Sequence, residues 1–210
     1  MEANIRLFLT VLALSVISFT LSWNPNSIPD SSYDYVSTVW SSSRQCAMSG
    51  NNDNGGNIIA SSDGGVSWNI IFSGNDQLRD IATTTYSGTT YFISVSTVGS
   101  IILIKNVAGN YLRQTVSALS GSSLYGVGIF NDTAYAVGQK GFGSGIGSAV
   151  YKSVATSRKI FTDWKVVTLP PGQQVTYSAV TTYDGINVIV AGYTGTVLHS
   201  SNGGKRDSVL

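Results

Sequence analysis

The sequence predicts an all-β fold built from about four similar units, and two observations carry that prediction. Short apolar runs recur along the chain, and each is followed by a glycine and a second run. The glycines that open the second runs, Gly56, Gly99, Gly147 and Gly195, are 43, 48 and 48 residues apart. Beyond the first segment, no apolar run repeats at helical spacing. A period in the forties, made of short strands and glycine turns, predicts a β-propeller of about four four-stranded blades.

The composition limits the classes of partner. Of the 210 residues, 42% are hydrophobic and 11% are charged, whereas about a quarter is usual for charged residues in soluble domains. Disorder is not expected, because it normally needs high charge and few aromatic residues. The formal net charge is +1 and the basic residues are scattered. Neither nucleic acid nor an acidic membrane surface is therefore an expected partner.

The N-terminus has the pattern of a secretory signal peptide. Arg6 is followed by an apolar run over residues 7–21, which is short for a membrane span and suits a signal core. Small residues precede a cut after Ser22, so we expect residues 1–22 to be the signal and Trp23 to begin the mature chain. The alternative is that the segment stays uncleaved and anchors the chain in a membrane.

A glycosylation acceptor and the cysteine content bear on the compartment. Asn131, with Thr133 two residues later, forms an acceptor pattern for N-linked glycans. Cys46 is the only cysteine, so no internal disulfide forms and packing must supply the stability. Its alternating neighbours indicate a buried thiol rather than a reactive one. We predict a secreted glycoprotein, or one in the lumen of the secretory pathway.

Residues 61–68, SSDGGVSW, form a turn motif at the end of the second run of the first unit. Its fixed positions are Ser61, Asp63, Gly65, Ser67 and Trp68. The aspartate is expected to accept N–H bonds inside its own turn, and the glycines tolerate positive φ there. The second serine is expected to offer its hydroxyl across the hairpin, and the tryptophan to bury its indole between neighbouring sheets. The motif indicates a folding device rather than a catalytic one.

These positions match the pattern Ser-x-Asp-x-Gly-x-Thr/Ser-Trp, the Asp box of the bacterial neuraminidase repeat. The chain thus resembles the Asp-box propellers, which include sialidases, sortilin-type receptors, xyloglucan hydrolases and lumenal photosystem II assembly factors. The last group is the one that the pattern resembles most, over most of residues 23–204. A second turn keeps Ser200 and Gly204 but has Asn202 in place of the aspartate. The resemblance implies a propeller with a chaperone-like role towards a membrane complex, and it assigns no site residues.

The spacing of the tryptophans predicts how the units are joined. The propeller is expected over residues 23–210, with repeats at about 33–75, 76–120, 121–170 and 173–210. Trp68 and Trp164 precede the next repeat by ten or eleven residues, and Trp23 precedes Tyr33 by ten. Trp23 thus predicts an N-terminal outer strand that completes the last blade and closes the ring without an open sheet edge. The alternative is a partial propeller with two exposed ends.

The innermost strand of each blade is expected to line a central channel, and propellers often bind ligands at the mouth of that channel. The candidate ligand-binding residues are Tyr35, Arg79, Asp80, Tyr125 and Tyr177. The alternative is structural: the tyrosines pack between blades, and Arg79 and Asp80 are solvated.

The sequence argues against catalysis. A sialidase needs a tyrosine activated by a glutamate, but the only glutamate, Glu2, lies inside the predicted signal. Asp34 and Asp80 are placed to act as the two carboxylates of a glycan hydrolase, although such residues more often serve turns or edges. His199 is the only histidine, so neither a metal site nor a Ser-His-Asp triad is predicted.

We therefore expect a non-catalytic binding or assembly-scaffold protein that recognises a protein or a glycan through its propeller loops, without a cofactor. The alternative is a glycan hydrolase of the Asp-box propeller type that uses its aspartates. A closed ring predicts a monomer, and an open ring predicts pairing with another copy.

Overall fold

The computed structural model describes residues 28–116, 119, 121–141, 147–172 and 174–205. Within these ranges the chain forms fifteen β-strands, and its one helical element is a 3-10 turn at Tyr193–Gly195. No helix in these ranges has the length and apolar character needed to cross a bilayer. The all-β prediction is confirmed. The predicted signal segment and the strand expected at Trp23 lie outside the described residues.

The strands form four separate antiparallel sheets, which we call blades 1 to 4. Blade 1 contains β1 (Asp34–Trp40), β2 (Cys46–Asn52), β3 (Gly55–Ser61) and β4 (Asn69–Gly74). Blade 2 contains β5 (Leu78–Tyr86), β6 (Thr89–Ser96), β7 (Ile101–Val107) and β8 (Asn110–Val116). Blade 3 contains β9 (Ser122–Phe130), β10 (Thr133–Lys140), β11 (Gly147–Val154) and β12 (Trp164–Val166). Blade 4 contains β13 (Tyr177–Thr182), β14 (Val188–Gly192) and β15 (Val197–Ser200), three strands within the described residues.

The blades are arranged about one axis. Strand order within each sheet follows the chain, so that every blade is a meander. The first strands of the blades, β1, β5, β9 and β13, contact one another in that order, as innermost strands of a propeller do. This arrangement confirms the predicted propeller of four blades.

An apolar core lies at each of the three seams between successive blades. The cores include Ile58 and Phe92 between blades 1 and 2, Tyr91 and Phe161 between blades 2 and 3, and Tyr135 and Tyr177 between blades 3 and 4. Strands of the middle blades are covered on both faces. As a result, β6 is buried along most of its length and does not alternate between buried and exposed residues.

Polar side chains join the blades at the seams. The Asn51 side-chain amide bonds to both the backbone N–H and the carbonyl of Leu78, and so mimics a paired strand between blades 1 and 2. The Tyr135 hydroxyl donates to the Gly185 carbonyl at 2.9 Å between blades 3 and 4. Burial raises the pKa of Tyr135 to about 12, so this hydroxyl keeps its proton and remains a donor at neutral pH.

The turn after β3 is held together by the Asp63 carboxylate. Its oxygens accept bonds from the backbone N–H groups of Val66 at 3.0 Å and Ser67 at 2.9 Å. They also accept the hydroxyls of Ser67 at 2.6 Å and Ser61 at 2.7 Å. The Ser67 hydroxyl, followed by the other donors, holds the pKa of Asp63 well below its usual range. The expectation that Ser67 reaches across the hairpin is wrong, because the turn brings its hydroxyl onto this carboxylate instead.

The turn after β15 repeats this geometry with an asparagine. The Ser200 hydroxyl donates to the Asn202 side-chain oxygen at 3.0 Å and accepts the Gly204 N–H at 2.8 Å. The equivalent bonds of the Asp63 turn measure 2.7 and 2.8 Å. The two glycines of each turn have positive φ, 83° and 90° in the first turn and 71° and 72° in the last.

Two tryptophans make the same local bond in different blades. The half-buried Trp68 donates its indole N–H to the Gly65 carbonyl at 3.1 Å, and Trp164 donates to the Phe161 carbonyl at 2.8 Å. Trp164 also packs against the core between blades 2 and 3. The third repeat therefore keeps the geometry of the first although its sequence pattern is degraded.

The Asp63 turn predicts a specific dependence of stability on pH. Because folding lowers the pKa of Asp63, its contribution is fully present above the unfolded value of about 3.9 and is lost as pH falls through the folded value. We expect Asp63→Asn to reduce the loss of thermal stability between pH 7 and pH 2. The reverse exchange in the last turn, Asn202→Asp, should increase that loss. Calorimetry across this pH range checks both, and profiles parallel to that of the parent chain would contradict the assignment.

Candidate functional site

The inner strands share one irregularity, a β-bulge near the start of each strand. The register shifts fall between Tyr35 and Ser37 in β1, Leu78 and Asp80 in β5, Leu124 and Gly126 in β9, and Tyr177 and Ala179 in β13. The extra residues at these shifts are Val36, Arg79, Tyr125 and Ser178. Because the inner strands are neighbours, the four residues form a row across them, which we call the bulge row. Bulges re-aim side chains, and they are common beside functional sites.

The bulge row is accessible and chemically mixed. Val36, Arg79 and Ser178 are exposed, and Tyr125 is half-buried. The row thus offers an aliphatic group, a cation, a phenol and a hydroxyl. Close backbone contact keeps its blade 3–4 end narrow, since a Cβ added at Gly126 would lie 2.8 Å from the Ser178 carbonyl oxygen.

The structure separates four of the five predicted site residues into three groups. Arg79 and Tyr125 occupy equivalent positions of the bulge row, on the neighbouring strands β5 and β9. Tyr35 precedes the bulge of β1, is half-buried, and accepts a bond from the Asn57 amide at 3.4 Å. Tyr177 is fully buried in the core between blades 3 and 4, and burial raises its pKa. The alternative that tyrosines pack between blades is therefore right for Tyr177, which is not placed to contact a ligand.

Asp80 joins three inner strands rather than facing solvent. One carboxylate oxygen accepts the Ser37 hydroxyl at 2.7 Å and the Ile81 N–H at 2.9 Å, and the other accepts the Val127 N–H at 2.9 Å. Its backbone carbonyl accepts the Ser94 hydroxyl at 2.7 Å. The interpretation of Asp80 as a solvated residue is wrong, because the neighbouring blades supply donors to both of its oxygens.

Sequence reasoning missed two members of the bulge row, Val36 and Ser178. Neither valine nor serine indicates a binding role by itself, and no particular residue type marks a bulge in the sequence. The signal that finds them is positional: aligned by repeat, they occupy the same place in their inner strands as Arg79 and Tyr125.

The remaining reactive side chains are isolated from one another. Among the described residues, no three His, Cys, Asp or Glu side chains lie close enough to hold a metal ion. Cys46 is buried in β2 and burial raises the pKa of its thiol, so the prediction of a buried thiol is confirmed. His199 is exposed on β15, in blade 4.

Comparison with known proteins supports the fold. No known protein family and no curated protein matches the sequence. Among solved structures, YCF48 from Cyanidioschyzon merolae is similar with a TM-score of 0.59 and 14% identity, covering 79% of this chain and 50% of that one. The GH74 enzyme of Niastella koreensis has a TM-score of 0.55 and 19% identity, covering 78% of this chain and 27% of that one. The GH74 xyloglucanase of Xanthomonas campestris has values of 0.53 and 13%, with coverages of 78% and 27%.

These similarities extend to the fold and no further. The chain spans half or less of the length of each of these structures. They confirm a β-propeller of the kind found in YCF48 and in GH74 enzymes.

The role of Asp80 as an inter-blade clamp is testable by stability. In Asp80→Asn, an amide N–H₂ replaces one of the two carboxylate oxygens. Because that oxygen accepted a hydrogen bond from the protein, two donors then face each other, and we expect the free energy of unfolding to fall by about 2 kcal/mol. Ser37→Ala removes one donor and should cost about 1 kcal/mol. The control is Asp34→Asn, an exposed carboxylate at the start of β1, which should stay within about 0.5 kcal/mol of the parent. Urea unfolding measures all three, and equal stabilities for Asp80→Asn and Asp34→Asn would refute the clamp.

Proposed function

We propose that the protein is a non-catalytic binding protein, of the assembly-scaffold kind, whose bulge row takes a segment of another protein. The observation that carries the proposal is the bulge row itself, four equivalent positions re-aimed by bulges and left accessible on a rigid scaffold. Sites built on strands hold their geometry better than sites on loops.

The chemistry of the row favours a peptide over a glycan. Arg79 supplies a planar cation suited to a carboxylate, and Tyr125, at the equivalent position of the neighbouring strand, supplies a face for an apolar or aromatic side chain. Val36 extends the apolar contact. A segment combining an acidic residue with apolar neighbours satisfies all three groups, whereas a neutral sugar leaves the guanidinium without a matched acceptor.

The carboxylates do not support hydrolysis. A glycosidase needs two acids free to exchange protons or attack at the scissile bond. Both carboxylate oxygens of Asp80 accept hydrogen bonds from the protein. Asp34 therefore lacks the second free carboxylate that a glycan hydrolase would need. The only glutamate is Glu2, at the N-terminal end.

Export is part of the proposal. Arg6 and the apolar run over residues 7–21 support it, because together they have the pattern of a signal peptide. The predicted N-glycan acceptor Asn131 supports it as well, since it is exposed in the turn between β9 and β10. On this proposal the partner is met outside the cell or in the lumen of the secretory pathway.

Parallel binding to an arrayed peptide library and an arrayed glycan library tests the function. We expect binding to peptides enriched in Asp or Glu beside apolar residues, weakened about tenfold or more by Arg79→Gln, since one charge-assisted contact contributes roughly 1.5–3 kcal/mol. Tyr125→Ala should weaken the same peptides. Arg158→Gln, at an exposed arginine in the turn between β11 and β12, is the matched control and should leave binding unchanged.

Three results would contradict the proposal. The first is binding to glycans alone. The second is release of reducing sugar from a bound glycan that is abolished by Asp34→Asn. The third is peptide binding that Arg79→Gln and Arg158→Gln affect equally.

A further inference from the structure

Three lysines that are distant in the sequence come together on the outer part of the seam between blades 3 and 4. Lys152 lies in β11 and Lys165 in β12, where the two residues are direct partners across the strand pair. Side chains of directly opposed residues project from the same face of a sheet, with Cβ atoms about 5 Å apart. Lys205, which follows the turn after β15, lies close enough for its charge to act on Lys152. The fold thus assembles basic residues that are scattered along the sequence.

The three lysines line one groove of about 380 Å³, which we call the lysine groove. Val167, Thr168 and the turn glycines Gly203 and Gly204 line it as well. The share of liquid volume taken by one water molecule is roughly 30 Å³. The groove is therefore large enough for a small ion together with a group that carries it.

Lys152 is held in place by the protein. Its ammonium donates to the Gly203 carbonyl at 3.0 Å and lies 5.3 Å from the centre of the Tyr135 ring. The side chain is half-buried, and burial, followed by the charge of Lys205, lowers its pKa, while Asp132 acts in the opposite direction. An ammonium carries three N–H donors, so donors remain for a ligand after the bond to Gly203 is made.

The protein supplies little negative charge to balance the lysine groove. Among the described residues the one ion pair joins Lys159 to Asp163 at 3.2 Å, and no described carboxylate lies as close to the three groove lysines. Asp163 also lines the groove, but its charge is already paired with Lys159. Like charges directly opposite each other destabilise a sheet. The pair of Lys152 and Lys165 therefore costs stability unless an anion balances it.

We propose that the lysine groove binds a doubly charged tetrahedral oxyanion, a phosphate or sulfate group, between the ammonium groups of Lys152, Lys165 and Lys205. Lysine binds such groups as a point charge whose donors rotate to meet the oxygens. A single carboxylate would leave more of the positive charge unbalanced. The site is distinct from the bulge row, because outer strands of blade 3 and the turn after β15 form it, whereas the bulge row lies on inner strands.

Titration with sodium sulfate and sodium phosphate, followed by amide NMR, tests this site. Chloride keeps the ionic strength constant, because salt screens exposed charges. We expect saturable shifts of the amides of Lys152, Lys165 and Gly203, and no such shifts with chloride alone. Lys165→Gln and Lys205→Gln should each weaken binding about threefold and the double variant about tenfold, because pairs with exposed lysines are individually modest.

Two variants serve as controls for charge and for position. Lys140→Gln removes the same charge from an exposed lysine at the end of β10, which does not line the groove, and should leave the affinity unchanged. Lys165→Arg keeps the charge in the groove and should retain binding. Phenyl phosphate, which keeps the charge of a phosphate group on a larger molecule, separates two sources of the anion. Affinity equal to that of phosphate indicates a group on a larger ligand, and loss of binding indicates the free ion.

Thermal unfolding gives a second readout that needs no assignment of amides. Sulfate stabilises proteins in general, so the comparison between variants carries the test. Sulfate should raise the Tm of the parent chain and of Lys140→Gln by more than that of the Lys165→Gln, Lys205→Gln double variant.

Three results would overturn the proposal. The first is the absence of any saturable effect of sulfate or phosphate beyond that of chloride. The second is equal weakening of binding by Lys140→Gln and Lys165→Gln. The third is a set of shifts that Arg79→Gln abolishes and the double lysine variant leaves intact, because it would assign the anion to the bulge row.

Discussion

Each sheet of this fold has two faces to cover, and four blades in a row provide only three seams. At those seams the apolar faces of successive blades bury Phe92, Tyr135, Tyr177 and their neighbours almost completely. Burial of this apolar area is the main favourable term that holds the blades together. The two outermost faces have no seam of their own. Among the described residues, Trp40 in blade 1 and Val197 in blade 4 remain exposed on those faces.

The same radial packing creates the candidate site. Inner strands that converge on an axis bring together groups from different blades, as Asp80 does when it accepts bonds from Ser37 and Val127. Asp80 thereby stabilises the inner strands and leaves the adjacent bulge residues to face outward. Neighbouring positions of one strand therefore have different surroundings: Asp80 bonds to both adjacent blades, and Arg79 is exposed.

Local and periodic features could be predicted from the sequence, because they depend on neighbouring residues. The spacing of Gly56, Gly99, Gly147 and Gly195 predicted the blades, and the Asp63 turn was predicted from its own residues. Features that depend on distant partners could not be predicted. Asp80 is 43 residues from Ser37 and 47 from Val127, and nothing near it in sequence indicates either donor. Tyr177 and Tyr125 look alike in sequence, yet a bulge places one in the core and the other on the row.

Amide hydrogen exchange at Val127 tests most directly whether contacts between the blades hold the inner strands together. The Val127 N–H of β9 donates to the Asp80 carboxylate of β5. If the account is right, this amide exchanges slowly in the parent chain and much faster in Asp80→Asn, while the amides inside β10 are unchanged. Equal exchange of Val127 in the two proteins would contradict the account.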